Sequence, residues 1–478
     1  MIYKISPNPS FPKRGTRLIF FVIGITFFLI AGSITVQAEM QEPDRGKMLY
    51  DKYCMVCHGE KGDGKGAAAR FLFPKPRDLT LGLYRVRSTS TGEPPTDGDI
   101  LGTLSNGMPG SAMPAFSELS KEEKTAIMEY IKELGEIYDE PLSIIKPGKA
   151  PEVTPQLLAK GKEIYGTMKC GECHGESGKG DGPKAEDLVD DWNQPAPPNS
   201  FTRGIYKGGG SPSDIYLRFT AGMDGSPMPS YEDSLDDEMR WAVVFYSLSL
   251  AGPNIAVQPT SGKIVAKKIS EDVPINPENA LWKSTTAFKV PLMLLWQKPD
   301  SPERLINIKA LYNEKNIAFL VEWNDATKNT LLDIDTFRDG ASLQFPAQKG
   351  AKPDFWMGHG EGKKAEGMVN IWFWKADTQE DIDKGRQPIP QSPVENLIAG
   401  GFGTLAFKKD AMQVSGKGKW KDRKWSVVFK RSFIGAKGNV EFTKRELTPV
   451  SFAIWDGGEN DVDGRKAVST WYYIVPEG

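Results

Sequence analysis

The pattern Cys-x-x-Cys-His occurs twice in the chain, at residues 54–58 and at residues 170–174. Two thiols at this spacing can form thioethers with both vinyl groups of a haem, and the adjoining imidazole can then bind the iron. Paired Cys-x-x-Cys motifs also form zinc ribbons, whose pairs are usually about 15–20 residues apart. Here the two motifs are separated by 116 residues, which favours two covalent c-type haems over zinc. The predicted attachment residues are Cys54, Cys57, Cys170 and Cys173.

Counts of cysteine and histidine restrict how these irons can be ligated. All four cysteines belong to the two motifs, so none remains for a structural disulfide. The chain has three histidines, and His58 and His174 are already in the motifs, which leaves His359. At most one c-type haem could therefore take a second histidine. Methionine is expected on the far side of at least one iron.

Each motif is followed, further along the chain, by a loop with two methionines, the second of which begins a Met-Pro-x-aromatic element. Proline stiffens a loop, and a thioether sulfur is a suitable axial ligand for haem iron. We therefore predict Met113 and Met228 as the distal ligands. Met108 and Met223 are the competing candidates in the same loops, and their alternative role is packing against the haem edge.

The surroundings of the two motifs repeat with one offset. An amphipathic helical segment precedes each motif, and a glycine-rich turn follows it. Ser120 begins a capping-box pattern at the start of the first closing helix. Leu119 and Leu235, like Tyr130 and Tyr246, are 116 residues apart, as the motifs are. The constant offset indicates an internal duplication of one small helical domain.

Both copies resemble the class I cytochrome c domain, and the resemblance covers roughly residues 40–250. It implies that His58 and His174 are the proximal iron ligands and that Met113 and Met228 are the distal ones. Both irons would then be closed by protein side chains on both faces. Such closed ligation favours electron relay over catalysis, and His/Met ligation tends to raise the reduction potential.

The N-terminus and the overall charge bear on location and partners. Four basic residues precede an uncharged run from Leu18, which leads to an Ala-x-Ala-like cleavage site at residues 36–38. This order is typical of a secretory signal peptide, although an uncleaved run of this length could also serve as a membrane anchor. Removal of residues 1–38 changes the formal charge from −2 to −6, because 56 basic and 62 acidic residues remain. A mildly acidic protein without a basic tract is not expected to bind nucleic acid.

Beyond about residue 252 the composition changes, and ten of the twelve tryptophans lie there. Residues 304–312 and 317–323 flank a polar turn and predict a β-hairpin. Further alternating segments with Gly- and Asp-rich turns predict an all-β sandwich after two all-α domains. We expect a signal peptide at 1–38, a cytochrome c domain at 39–140, a linker at 141–155, a second cytochrome c domain at 156–252 and the β-sandwich at 253–478.

Several stretches of this third part carry a second resemblance. They are Arg338–Pro346, Phe355–Gly358, Val369–Ala376, Ala453–Gly458 and Gly464–Trp471. Together they resemble the haem-binding γ subunit of ethylbenzene dehydrogenase. The same group includes the γ subunits of the selenate, chlorate and dimethylsulfide dehydrogenase type enzymes, and the resemblance covers about residues 265–476. The resemblance implies a non-covalent b-type haem ligated by Met357 and Lys466. His359 is the rival ligand, and a lysine can bind iron only as the neutral amine.

The sequence as a whole therefore predicts a periplasmic electron-transfer protein with two haems c and one haem b. By resemblance, it would be the γ-type subunit of a molybdenum enzyme with an iron–sulfur subunit, nitrite oxidoreductase being one candidate. It would exchange electrons with a soluble cytochrome or a terminal oxidase. Two alternatives stay open: a dihaem cytochrome fused to a carbohydrate-binding sandwich, whose tryptophans would bind sugars, and a peroxidase-like multihaem enzyme, which needs an open iron.

Overall fold

The computed structural model describes residues 42–138, 141–251, 262–296, 301, 304–351, 356–358, 367–387, 392–407, 414–433, 440, 442 and 447–477. The predicted signal peptide, with its alternative of a membrane anchor, lies outside these residues, and so does His359. Within the described residues, none of the helices combines the length and apolar character required to cross a membrane. The described part is helical up to residue 249 and rich in β-strands from residue 263 onward.

The N-terminal part contains two sets of four helices in the same order. The first set is α1 (Glu42–Tyr53), α2 (Met55–His58), α3 (Asp97–Asn106) and α4 (Lys121–Leu134). The second set is α5 (Pro155–Thr167), α6 (Gly171–His174), α7 (Pro212–Ala221) and α8 (Asp237–Ser249). The capping box that the sequence predicts is present, because the Ser120 side chain accepts from the Glu123 N–H and the Glu123 carboxylate accepts from the Ser120 N–H.

The first and last helices of each set cross at a glycine. A Cβ atom on Gly46 of α1 would lie 2.3 Å from the Ala126 carbonyl oxygen of α4. In the second set, a Cβ on Gly161 of α5 would lie 2.1 Å from the Ala242 carbonyl oxygen of α8. Both distances are far below van der Waals contact, so only glycine allows these backbones to approach so closely. The duplication in the sequence is thus matched by the same helix crossing in both copies.

In the described residues of the C-terminal part there are thirteen strands in one continuous hydrogen-bonded network and two short α-helices. The strands are β1 (Lys263–Lys268), β2 (Phe288–Leu294), β3 (Arg304–Tyr312), β4 (Asn316–Asn324), β5 (Gly340–Pro346), β6 (Val369–Lys375), β7 (Val394–Ala399), β8 (Ala406–Phe407), β9 (Ser415–Lys421), β10 (Lys424–Ser432), β11 (Thr448–Trp455), β12 (Ala467–Val468) and β13 (Tyr472–Pro476). The helices are α9 (Ala280–Lys283) and α10 (Ala376–Asp383).

The strand order is β8-β7-β6-β5-β11-β12-β2-β3-β4-β10-β9, and β1 and β13 complete the network. The predicted hairpin is confirmed, since β3 and β4 pair antiparallel with Tyr312 opposite Ile317. Most neighbouring strands are antiparallel, but β1 runs parallel to both β3 and β13. A pleated strand sends alternate side chains to opposite faces, so this register decides which residues enter the core.

Two portions of this network face each other across a core of aromatic side chains. Phe319 of β4 lies 6.2 Å from Phe345 of β5 between ring centroids, although these strands are not neighbours in the strand order. Trp323 of β4 likewise lies 6.3 Å from Trp374 of β6. Face-to-face packing of this kind buries both apolar faces at once. Several of the tryptophans are therefore structural core.

Candidate haem sites

Each Cys-x-x-Cys-His motif lies on a short helix, and its histidine is oriented by a backbone carbonyl. His58 Nδ1 lies 2.9 Å from the Arg77 carbonyl oxygen, and His174 Nδ1 lies 3.1 Å from the Asn199 carbonyl oxygen. Because a carbonyl can only accept, Nδ1 carries the proton in both rings, which leaves Nε2 free to bind iron. Burial lowers the pKa of both imidazoles, so the neutral form that metals bind is favoured.

The residue after each motif is a glycine whose carbonyl is held by a buried tyrosine. Tyr50 donates to the Gly59 carbonyl over 2.7 Å, and Tyr165 donates to the Gly175 carbonyl over the same distance. Both glycines have positive φ angles, 83° and 76°, which disfavour a side chain. These tyrosines fix the turn that leads away from the proximal histidine.

The two methionine loops are closed by matching hydrogen bonds. The Met108 N–H donates to the Met113 carbonyl over 2.9 Å, and the Met223 N–H donates to the Met228 carbonyl over 3.1 Å. Gly107, with φ of 68°, precedes the first pair, and a Cβ there would lie 2.6 Å from the Ala115 backbone nitrogen. The loop geometry is therefore specified by backbone contacts and not by the methionine side chains.

Packing distinguishes the methionines within each loop. Met113 packs against the apolar cluster that contains Cys54 and the closing-helix residue Ile127. Met228 packs against the corresponding cluster of the second copy, around Ile164 and Phe219. This placement on the inner side of each helical set supports Met113 and Met228 as the ligand candidates.

The third candidate site is a cavity of about 390 Å³ in the sheet-rich part. This volume lies within the roughly 300–1,000 Å³ that small-molecule and cofactor sites occupy. Met357 and Lys466, which are 109 positions apart in the chain, both line it. Most of the remaining wall is apolar and aromatic, including Phe373, Phe402 and Trp455. The lining therefore fits a large, flat and mostly apolar group such as a haem.

Met357 is held in an unusual backbone conformation at this cavity. Its φ angle is 85°, a left-handed value that costs a residue with a side chain about 1–3 kcal/mol. Its carbonyl accepts from the Gly401 N–H over 2.9 Å, and its side chain packs against a cluster that contains Leu397. Such strain persists only where surrounding contacts impose it, and here they direct the residue toward the cavity wall.

The protein around Lys466 desolvates its side-chain amine. Its Nζ lies 4.8 Å from the centroid of the Trp455 ring, and its carbonyl accepts from the Leu295 N–H over 3.0 Å. Desolvation lowers the pKa of its amine to about 8, against which the Asp463 charge acts in the opposite direction. A neutral amine is thus accessible close to neutral pH, as iron ligation by lysine requires.

One wall of the cavity comes from the first helical copy. Ala68, Arg70, Phe71 and Leu72, which follow the first haem motif, line it together with the strand residues. The Phe71 ring lies 5.5 Å from the Phe402 ring, and it also fills the space beside Gly464. Cys57 packs against an apolar cluster that contains the cavity-lining residues Leu72, Leu295 and Val468. The third candidate site is therefore adjacent to the first thioether position.

The two helical copies meet through a buried ion pair that sequence reasoning did not identify. Arg87 is fully buried, and its guanidinium lies 2.8 Å from an Asp224 carboxylate oxygen in the second methionine loop. It also donates to the Ala221 carbonyl over 3.0 Å. In the sequence, Arg87 resembles any other arginine, so only the tertiary contact reveals its position.

Arg77 connects the first haem motif with the second methionine loop. Its carbonyl orients His58, its guanidinium lies 4.6 Å from the centroid of the Trp192 ring, and its Nη2 lies 3.5 Å from the Asp224 carbonyl oxygen. Burial lowers the pKa of this guanidinium to about 10, which leaves it charged at neutral pH. The proximal side of one candidate haem site is thereby joined to the distal loop of the other.

Loss of the Arg87–Asp224 pair is expected to destabilise the protein strongly. Removing one partner of a buried pair leaves the other charge uncompensated, which typically costs about 3–5 kcal/mol. Arg87→Met should therefore lower the midpoint of thermal unfolding clearly. Lys47→Met is the control, because the Lys47–Asp51 pair is exposed on one helix and such pairs contribute about 0.3–0.5 kcal/mol. Equal effects of the two substitutions would contradict this role of Arg87.

Comparison with known proteins shows which families the segments of this chain resemble. Residues 43–135 and 158–251 each match the cytochrome c family, and residues 279–387 match the family described as ethylbenzene dehydrogenase. The chain combines cytochrome c domains with an ethylbenzene dehydrogenase domain. The resemblances inferred from the motifs are thus confirmed, and the cytochrome c domains imply covalent haem c. Met357 lies within the third matched segment, whereas Lys466 lies beyond it.

Three relatives show in which proteins such sequences occur. A haem subunit of respiratory nitrate reductase from Haloferax mediterranei is 27% identical over 48% of this chain and 78% of its own length. The γ subunit of dimethylsulfide dehydrogenase from Rhodovulum sulfidophilum is 25% identical over 47% of this chain and 85% of its own length. The γ subunit of chlorate reductase from Ideonella dechloratans is 28% identical over 42% of this chain and 78% of its own length. These three relatives are haem or γ subunits of oxidoreductases.

Proposed function

We propose that this chain is a periplasmic electron-transfer protein with three haems, and that it serves as the γ-type subunit of a molybdenum oxidoreductase. The observation that carries the proposal is the shared wall between the sheet-domain cavity and the first Cys-x-x-Cys-His motif. Relatives that are haem or γ subunits of nitrate reductase, dimethylsulfide dehydrogenase and chlorate reductase support the subunit role. Bound haem would supply one-electron redox chemistry.

The chain itself provides attachment, orientation and exclusion of water. Cys54 and Cys57, with Cys170 and Cys173, would bind two haems c covalently, and carbonyl contacts orient the two motif histidines. Met113 and Met228 would close the distal faces. Met357 and Lys466 would hold one haem b in the cavity of a β-sandwich domain. Arg70, which lines the same cavity and is exposed, could meet a haem carboxylate.

Contiguity of the three sites supports a relay. The segment of residues 68–72 belongs both to the first cytochrome c domain and to the cavity wall. Arg77 and Arg87 then join that domain to the methionine loop of the second. The order of contacts is therefore sheet-domain cavity, first motif and second methionine loop. An arrangement of this kind would pass electrons along the chain without requiring a soluble carrier between its domains.

The proposed partners follow from the relatives and from the sequence resemblance. The sheet domain would dock against the iron–sulfur subunit of an enzyme with a molybdenum catalytic subunit, and the cytochrome c domains would exchange electrons with a soluble cytochrome or a terminal oxidase. Nitrite oxidoreductase is one candidate for the parent enzyme. The predicted signal peptide at 1–38 supports export, and the proposed domains keep the boundaries given above.

Burial of four sheet-domain tryptophans weighs against the carbohydrate-binding alternative, while Trp296, Trp420, Trp455 and Trp471 are partly exposed. Sugars stack on exposed aromatic rings, whereas Trp282, Trp372, Trp374 and Trp425 are each 2% exposed or less. The peroxidase-like alternative needs an iron with an open face. Methionine candidates placed against the inner side of both helical sets argue for closed irons instead.

Haem stoichiometry and partner capture test the proposal together. Intact mass combined with a pyridine haemochrome spectrum should give two covalent haems and one haem that acidified solvent extracts. Purification under native conditions should also retain a large molybdenum-containing partner. A protein with only c-type spectra, affinity for glycans and no molybdenum partner would support the carbohydrate-binding alternative. Rapid binding of cyanide or peroxide to one iron would instead favour the peroxidase-like enzyme.

A further inference from the structure

Four aspartates come together in the sheet domain beside the cavity of the third candidate haem site, and two of them, Asp339 and Asp461, also line that cavity. Carboxylate oxygens of Asp325, Asp339 and Asp456 all lie within 4.8 Å of one another, and all three residues are buried. The fourth residue, Asp461, is also buried. Its carboxylate accepts a hydrogen bond from the Asp456 N–H over 3.2 Å. The residues come from the ends of β4, β5 and β11 and from the turn after β11, so they are distant in sequence.

Hydrogen bonds account for most of these oxygens but leave one without a partner. Asp339 accepts from the Gly457 N–H over 2.9 Å on Oδ1, and from the Asn329 N–H and the Trp425 indole on Oδ2. Oδ2 of Asp325 has no hydrogen-bond partner among the residues that the structure describes, although Asp325 is only 3% exposed. A buried and unsatisfied carboxylate oxygen costs several kcal/mol unless a cation or a proton reaches it.

The local charges do not balance. Arg304 pairs with Asp456 at 2.7 Å, and Arg465 lies 3.9 Å from Asp461. The other two aspartates of the group have no basic side chain within ion-pair distance in the described part of the chain. Two positive and four negative groups therefore leave a net charge of −2 in a buried position. A single divalent cation would neutralise it.

We propose that Asp325, Asp339 and Asp456 bind a divalent cation of the hard, oxygen-preferring class, Ca²⁺ or Mg²⁺. Three carboxylate oxygens within 4.8 Å of one another fit around one ion, because Ca²⁺ and Mg²⁺ bind oxygen at about 2.3–2.6 Å and 2.0–2.1 Å. Absence of cysteine and histidine from the group disfavours zinc and copper. Each of the three carboxylates has lone pairs that its hydrogen bonds leave free.

The competing explanation is a proton shared within the group. Desolvation and the neighbouring carboxylates raise the pKa of Asp325 to about 7, and desolvation raises that of Asp339 to about 6. A neutral Asp325 could donate to a neighbouring carboxylate and remove one negative charge. Burial also raises the pKa of Asp461 to about 7, so a second proton on that carboxylate could remove the other negative charge. Metal analysis distinguishes these two states directly.

The proposed ion would also stabilise the loop that leads to Lys466. Asp456 caps the short turn at Gly457–Glu459, and Asp339 and Asp461 line the end of the cavity in which Lys466 lies. An ion at the three carboxylates would tie β4, β5 and β11 together beside this loop. None of the proposed cation ligands is a candidate for binding the haem iron, although Asp339 also lines the cavity.

Metal content of the full-length, haem-loaded protein tests the proposal. After desalting from buffer with Ca²⁺ or Mg²⁺, elemental mass spectrometry should find one equivalent of one of these ions per chain, counted separately from iron. A chelator should remove it and lower the midpoint of thermal unfolding, and the same ion should restore that midpoint. Asp325→Asn should reduce the bound metal at least tenfold. Asp335→Asn, an exposed aspartate in the loop between β4 and β5, should retain it.

Two results would overturn the proposal. One is wild-type protein that holds no stoichiometric Ca²⁺ or Mg²⁺ and unfolds at the same temperature with and without chelator. The other is an Asp325→Asn protein that keeps its full metal content. The wild-type measurement needs no variant, so it decides the question even if Asp325→Asn fails to fold. Neither readout depends on electron-transfer activity, so failure here would leave the proposed function intact.

Discussion

Met357→Ala and Lys466→Ala should each release or spectrally shift the extractable haem and leave the two covalent haems unchanged. Both residues line one cavity, and they are the candidates for its two axial positions. Loss of one axial ligand should weaken haem binding by at least about tenfold, which is the lower end of the range for perturbed metal sites. The measurement is the ratio of extractable haem to covalent haem in the purified variants, together with the reduced α-band spectrum.

Controls separate ligation from general damage to the domain. Lys417→Ala removes an exposed lysine from β9 and should keep the full haem content. Met357→Gly should relieve the strain of the left-handed backbone, so the domain should fold at least as well while the haem is still lost. If Lys466→Ala retained an unchanged spectrum, lysine ligation would be wrong, and His359→Ala would become the decisive variant.

Met113→His should lower the reduction potential of one covalent haem sharply. A thioether stabilises ferrous iron, whereas a second imidazole favours the ferric form. Axial ligands shift haem potentials over a range of about 0.8 V, so this exchange should produce a large change in the potential of that covalent haem. Spectroelectrochemical titration would show it, along with the loss of the absorption band that accompanies methionine ligation of ferric haem.

The methionines of the two loops provide matched controls. Met108→Leu should leave the potential nearly unchanged, because its backbone N–H closes the loop whatever its side chain is. Met228→His should affect the second covalent haem as Met113→His affects the first, and Met223→Leu should again have little effect. If Met108→Leu lowered the potential and Met113→His did not, the ligand assignment within the loop would be reversed.

Much of the helical part could be predicted from sequence, because its information is local. A Cys-x-x-Cys-His pentapeptide specifies its own chemistry, and the constant offset of 116 residues reveals the duplication. The capping box at Ser120 and the hairpin of β3 and β4 likewise depend on neighbouring residues. Local patterns of this kind indicate secondary structure without any knowledge of long-range contacts.

The contacts between domains could not be read in the same way. Phe71 follows the first haem motif like any loop residue, yet it closes a cavity built mainly by strands more than 200 residues later. Arg87 and Asp224 are 137 positions apart and form a buried pair only because the two copies pack together. Arginine and aspartate are common on protein surfaces, so the sequence around Arg87 and Asp224 does not indicate that they are buried.

The sequence by itself predicted which residues attach haem, and it indicated that the helical unit is duplicated and that a strand-rich domain follows. The tertiary structure alone decided that the three candidate sites are contiguous, that Lys466 is dehydrated and that three distant aspartates converge. The physical reason is the separation along the chain over which each kind of interaction acts. Covalent chemistry and helix capping act between neighbours in the chain, whereas desolvation and charge pairing depend on which surfaces are brought together by burial of apolar side chains.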